Sequence, residues 1–223
     1  QIHHKFGYDQ AVSRASDSLS YVYRLDEKYW LMMLDSCICE PVHETGGKLS
    51  EETVAWMKMQ LEEAKKQGVT VIPVSHHNLL DESTLYPEEC TIENTKEVTA
   101  LLETYGVPVY LSGHLHLQRI KKHTSNLNTP GGYGIREIVT SPLPMAPCQY
   151  SILNWQADGS LSYHTKKVDI AGWAQRYGEE DENLLNFDAY ADQFLVDVIS
   201  EQAAVGIKGY QRRDGKALCR YEP

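Results

Sequence analysis

VTVIPVSHHN (residues 69–78) and VPVYLSGHLH (residues 107–116) share one design: a short run of β-branched and apolar residues that ends at a histidine-bearing turn. Each run reads as a buried strand. A helix is predicted before the first, over about 51–67. Ser50 stands as its N-cap, Glu51 and Glu52 fall in the first turn near the positive end of the dipole, and Leu49 with Val54 fits a hydrophobic staple. Val54, Met57, Leu61 and Ala64 repeat at helical spacing, and Lys65, Lys66 and Gly68 close the helix. Between the two strands a second helix is predicted, capped by Asn94 with Glu97 in the reciprocal position. Val98, Leu101, Leu102 and Tyr105 line one face, and Gly106 ends it. Strand, helix, strand is a βαβ unit, whose crossover is right-handed in nearly all cases, so the strands run parallel. Both histidine turns then fall on one sheet edge, beyond the carboxyl ends of the strands, where open α/β sheets bind ligands.

Upstream, LSYVYRL (19–25) and YWLMMLD (29–35) read as adjoining strands around Asp26-Glu27-Lys28, the second apolar enough for cover on both faces. Downstream, strands are predicted at about 117–122, 134–140, 147–156 and 160–168 with no helices between them. Asp158-Gly159 is a hairpin signal, so this region is expected to be antiparallel. TPGGYG (129–134) lacks the regular glycine spacing of a phosphate-cradling loop, and the polar, Pro-containing segment 79–92 reads as a lid. From about 182, Leu184, Leu185, Phe187, Phe194, Leu195, Val198 and Ile199 recur at helical period, an amphipathic helical segment. The reading divides the chain into a domain over 1–168 and a helical appendage over 169–223.

Composition narrows the function classes. The chain has 223 residues, 42% hydrophobic and 23% charged, with no apolar run of the roughly 18–20 residues needed to span a bilayer. Against 31 acidic residues stand 21 Lys and Arg, and a formal charge of −10 argues against duplex nucleic acid as a partner. The five cysteines, at 37, 39, 90, 148 and 219, form no zinc-ribbon pattern and read as reduced thiols, with Cys37 and Cys39 half-buried; the odd count favours the cytoplasm. The first residues have neither an initiator Met nor the build of a signal peptide. That favours a chain cut from something longer, whose missing segment could hold targeting information.

Chemistry concentrates at the two turns. His114 and His116 stand two apart after Gly113, and two imidazoles at that spacing face one side only if the backbone leaves regular strand geometry; Gly113 is expected to give that freedom. Zinc, manganese and iron take neutral imidazole at about 2.0–2.2 Å, and several ligands must converge to hold the ion. His76, His114 and His116 are the candidate ligands.

VIPVSHHN followed some forty residues later by VYLSGHLHLQ resembles the last two ligand motifs of the calcineurin-like metallophosphoesterases. SYVYRL, LMMLDS and the stretch from GGKLSEETVAWM to the HHN turn are similar to bacterial phosphohydrolase and cyclic-nucleotide phosphodiesterase members, so the similarity spans about 1–168. The resemblance implies a partial metallophosphoesterase sandwich, βαβ units with antiparallel strands flanked by helices. It implies that His76 and His114 share one of two divalent ions (Mn, Fe or Zn), that His116 serves the other, and that His77 stands behind the ligands or in the pocket wall. Asn78 and Gln118 become candidates for substrate contact, with a turn-stabilising role for Asn78 and a plain strand position for Gln118 as the alternatives. The family also has Asp-x-His, Gly-Asp-x-x-Asp and Gly-Asn-His turns. None occurs in this sequence, which implies that they lie in a missing N-terminal segment. The implied activity is hydrolysis of a phosphorylated small molecule or nucleotide by the complete protein. The 223 residues alone would be inactive and hold at most one weakly bound ion. Three alternatives stay open: a non-catalytic binding or regulatory module retaining half a metal site, a mononuclear zinc hydrolase, and a structural zinc site.

Overall fold

The computed structural model describes residues 7–39, 42, 44–81, 88–123, 134–156 and 158–214. Residues 82–87 of the segment read as a lid, 129–133 of the glycine loop, the first six residues and Cys219 lie outside them. Two compact units, 1–140 and 141–223, divide the chain.

The first unit is mixed α/β. Its sheet carries seven strands in the order β1-β2-β3-β4-β5-β7-β6: β1 (Ser13–Arg14), β2 (Tyr21–Arg24), β3 (Tyr29–Met33), β4 (Thr70–Val74), β5 (Val109–Ser112), β6 (Arg119–Lys122) and β7 (Arg136–Val139). β3, β4, β5 and β7 run parallel to their neighbours in the centre, and β1, β2 and β6 pair antiparallel at the margins. The expectation for 134–140 is corrected here. β7 is antiparallel to β6 but parallel to β5, because β6 lies outside it at the sheet edge and leaves the flank of β5 to β7. Burial along β3 is corrected too. Trp30 and Met32 are buried while Tyr29, Leu31 and Met33 are half-buried, so one face is covered more completely than the other.

Helix α1 (Glu51–Gln67) begins where Ser50 accepts a hydrogen bond from the Thr53 amide and ends at Gly68 in the left-handed region, φ 69°. Thr53, Val54, Trp56, Met57, Leu61 and Ala64 are its buried residues, and all but Thr53 join Trp30, Met32 and Val71 in the hydrophobic core of this unit. Helix α2 (Thr95–Thr104) starts differently from expectation, because Asn94 makes no capping bond. Its amide brackets the backbone of Leu49 instead, accepting from Leu49 N at 3.2 Å and donating to Leu49 O at 2.9 Å. Two buried main-chain groups ahead of α1 are satisfied in this way, at the expense of one N-terminal amide of α2.

The described residues of the second unit contain the hairpin β8 (Gln149–Trp155) with β9 (Leu161–Lys167), antiparallel around Asp158-Gly159, and three helices: α3 (Ile170–Tyr177), α4 (Glu182–Leu185) and α5 (Phe187–Asp214). The hairpin groups with the helices and not with the larger sheet, so the first unit ends ahead of the boundary expected after 168. Contacts explain this: Cys148 packs with Ala191, Phe187 and Leu195, and Lys167 Nζ lies 2.9 Å from the Asp188 carboxylate. No described helix is long and apolar enough to cross a membrane.

Candidate metal centre

The carboxyl ends of β4 and β5 bring the two histidine turns together. The backbone ladder between these strands is short, with Val74 and Leu111 as its registered pair. Pro73, in the middle of β4, has no N–H to add to it. Pairing continues past the strand ends: Ser75 N donates to Leu111 O at 3.0 Å and Gly113 N to His76 O at 3.1 Å. Contact between the strands therefore extends into the turns that carry the imidazoles.

There His114 Nδ1 lies 2.8 Å from His76 Nε2, with ring centroids 4.7 Å apart. One nitrogen must carry a proton and the other a lone pair, so the accepting ring is neutral. Both pKa values are pushed below the ordinary histidine value, first by burial and then by neighbouring imidazoles: His77 and His116 for His76, and His76, His77 and His116 for His114. Glu89 pulls His114 weakly the other way. At neutral pH the rings are uncharged, the form in which imidazole binds metal.

The backbone of the second turn departs from the sequence reading. Gly113 does not supply the left-handed conformation; His114 (φ 64°) and His116 (φ 54°) adopt it themselves. Left-handed backbone at a residue with a Cβ is uncommon and costs on the order of 1–2 kcal/mol. Between them Leu115 is buried and its amide donates to Gly113 O at 2.7 Å, so it anchors the turn. His114 is half-buried and His116 exposed.

His77 is buried, its ring centroid 5.1 Å from that of His76 and 4.8 Å from that of His114. Its Nε2 is 3.1 Å from Thr45 O, and a carbonyl can only accept, so Nε2 carries the proton and Nδ1 accepts from the Ser36 hydroxyl at 2.8 Å. Both ring nitrogens are engaged by protein. Asn78 is buried and bridges the turns, its Nδ2 donating to Ser112 Oγ at 2.9 Å and Gly113 O at 3.2 Å. Gln118 is half-buried one residue ahead of β6.

Three further residues belong to this edge. Tyr110 is fully buried, donates to Ser75 Oγ at 2.7 Å, and its phenol pKa is driven up by burial and by the Glu137 charge. Ser75 Oγ donates in turn to His77 O at 2.5 Å. Glu137, on β7, is fully buried; its Oε1 accepts from Leu79 N at 2.7 Å and Ser112 Oγ at 2.6 Å, and its Oε2 from Leu80 N at 2.6 Å. Each of these three occupies a strand or strand-end position, and no local pattern distinguishes it from a packing residue.

Two ligands of one tetrahedral ion at about 2.1 Å stand roughly 3.4 Å apart, so His76 and His114 need open by only about half an ångström to admit a metal. A third ligand is not in place among the described residues. Among the described residues no group of three or more His, Cys, Asp or Glu side chains is arranged to hold an ion. The residues present therefore fit one edge of a coordination sphere and do not complete it. A cleft of about 670 Å³ opens elsewhere, beside Asp17, Asp35, Cys37, Lys48 and Ser50, and no histidine is among its described lining residues. Cys37 and Cys39 are exposed there, not half-buried as expected; the described cysteines are free thiols.

Residues 169–220 match the family described as the C-terminal domain of cyclic nucleotide phosphodiesterase. The matched phosphodiesterase segment begins at Asp169, whose side chain caps α3 by accepting from Gly172 N, and continues through α4 and α5. A solved structure, that of a dimetal phosphatase from Danio rerio, is similar to 58% of this chain and 51% of its own, at 14% identity and a TM-score of 0.42. The chain thus spans about half the length of that structure's chain. No curated protein matches it.

Proposed function

We propose that this chain supplies the histidine edge of a metal-dependent phosphoester hydrolase, acting on a phosphomonoester, a phosphodiester or a cyclic nucleotide. One observation carries the reading: imidazoles 38 positions apart in sequence, each at the carboxyl end of a parallel strand, stand with ring nitrogens 2.8 Å apart. The phosphodiesterase match at 169–220 supports the same class. His76 and His114 offer neutral nitrogen donors, and His116, exposed on the same turn, is the candidate for a second ion. His77, with both nitrogens engaged, forms the wall behind them. Carboxylates from outside these 223 residues would complete a dinuclear centre of Mn, Fe or Zn, and the isolated chain, with no third ligand placed among the described residues, would be inactive.

The product of the complete gene, purified with Mn²⁺, should hydrolyse p-nitrophenyl phosphate, bis(p-nitrophenyl) phosphate or a cyclic adenosine monophosphate. His114→Ala should lower kcat/KM by at least about 100-fold, as loss of a metal ligand does. Equal activity in the parent and in the His114→Ala/His116→Ala double variant would instead favour a non-catalytic module.

A further inference from the structure

We infer that Glu137 is the positioning residue of the histidine edge, fixing the separation of His76 and His114 without touching either. The inference rests on the reading that this edge is functional. Glu137 is registered opposite Tyr110 across the parallel β5–β7 pair, so both side chains enter the same face of the sheet, and both are fully buried. From there the carboxylate reaches both turns at once. It takes the consecutive amides of Leu79 and Leu80, which follow His76-His77-Asn78, and the hydroxyl of Ser112, which precedes Gly113-His114.

Asn78 closes the loop by donating from its side chain to Ser112 Oγ. The result is a ring of hydrogen bonds from Asn78 through Ser112 and Glu137 to the Leu79 amide, covalently next to Asn78. One side of that ring lies two residues after His76 and the other two residues before His114. Successive donors and acceptors in a buried ring polarise one another and hold a single geometry. The β4–β5 ladder is short, and beside the backbone bonds of Ser75 to Leu111 and Gly113 to His76, this ring, the Asn78–Gly113 O bond and the Tyr110–Ser75 bond are side-chain ties that hold the turns together.

The chemistry calls for a carboxylate. Three donors converge on two oxygens, and burying an ionised group is tolerated only where such charge-assisted bonds satisfy it. Glutamine would turn an NH₂ group toward at least one donor, and aspartate is one methylene too short to meet both turns.

The test uses the isotope-labelled chain without metal, reading the ¹⁵N–¹⁵N coupling across the His76–His114 hydrogen bond, then Zn²⁺ affinity by titration. Glu137→Gln should abolish the coupling and weaken zinc binding about 10- to 100-fold while the amide signals of α1 stay in place. A variant that merely melts at lower temperature, with coupling and zinc affinity unchanged, would overturn the inference, as would absence of the coupling in the parent chain. Should Glu137→Gln fail to fold, Ser112→Ala removes one link and leaves Leu79 and Leu80 paired. A weakened coupling is then expected, and an unchanged one refutes the role. Coupling lost in Glu137→Gln, together with no phosphoesterase activity in the complete gene product, would refute the proposed function and leave the positioning role standing.

Discussion

Gly47→Ala should destabilise the first unit by about 2–4 kcal/mol and displace the His77 ring. A Cβ built on Gly47 would lie 2.5 Å from His77 Nδ1 and 2.8 Å from His77 Cβ, inside the distance that real Cβ atoms keep. The neighbour cannot swing aside as the end of a flexible side chain would. His77 is buried, hydrogen-bonded through Nδ1 to Ser36 and through Nε2 to Thr45 O, and its own backbone amide reaches Ser36 Oγ at 3.3 Å. Either the 44–47 segment moves away, giving up the Thr45 contact, or His77 rotates and leaves buried polar groups unpaired. Its ring centroid lies 4.8 Å from that of His114, so displacement is transmitted to the ligand pair. Urea unfolding gives the energy and the His77 imidazole resonances give the displacement. Parent-like values for both would mean that Gly47 and His77 are not packed as described.

Met57→Ala should cost about 2–5 kcal/mol, and Met59→Ala less than about 0.5 kcal/mol. The residues are chemically identical and two positions apart on α1, yet Met57 is 0% exposed and Met59 58% exposed. Met57 fills core beneath the sheet with Trp30, Met32 and Leu61, and truncating it leaves a cavity that close-packed neighbours can fill only in part. Met59 faces solvent and loses little. Comparison of the two midpoints in denaturant tests the register of the helix, since a one-residue shift would move both side chains relative to the core. Similar losses at both positions would contradict the packing.

The parts legible in sequence are those whose cause is local or periodic. Ser50 and Gly68 bound α1 because cap chemistry depends on neighbouring atoms, and the stripe of Val54, Met57, Leu61 and Ala64 states which face is buried. Strand-helix-strand order then requires β4 and β5 to be parallel, and from that the meeting of His76 with His114 could be argued across 38 residues. The illegible parts depend on side chains that bond distant backbone. Asn94 has the sequence context of an N-cap but satisfies Leu49, 45 positions upstream. Glu137 lies among Ile135, Arg136, Ile138 and Val139 and reads as an ordinary polar strand residue, since its partners at 79 and 80 leave no trace near it. Gly113 drew attention as the flexible residue of the turn, whereas the left-handed geometry sits on His114 and His116. Helix α3 is read only as part of the helical appendage over 169–223, without bounds of its own, although Asp169 and Gly178 supply its start and stop, a local signal.

The convergence of two strand-end imidazoles underlies each functional statement, and Zn²⁺ titration of the chain followed by histidine side-chain NMR tests it most directly. The resonances of His76 and His114 should move together and saturate at one weakly bound zinc per chain, while His123, paired with Glu103 at 2.7 Å, and His164, on β9, stay where they are. A response from one of the two without the other, or zinc taken first by His123 or His164, would contradict the convergence.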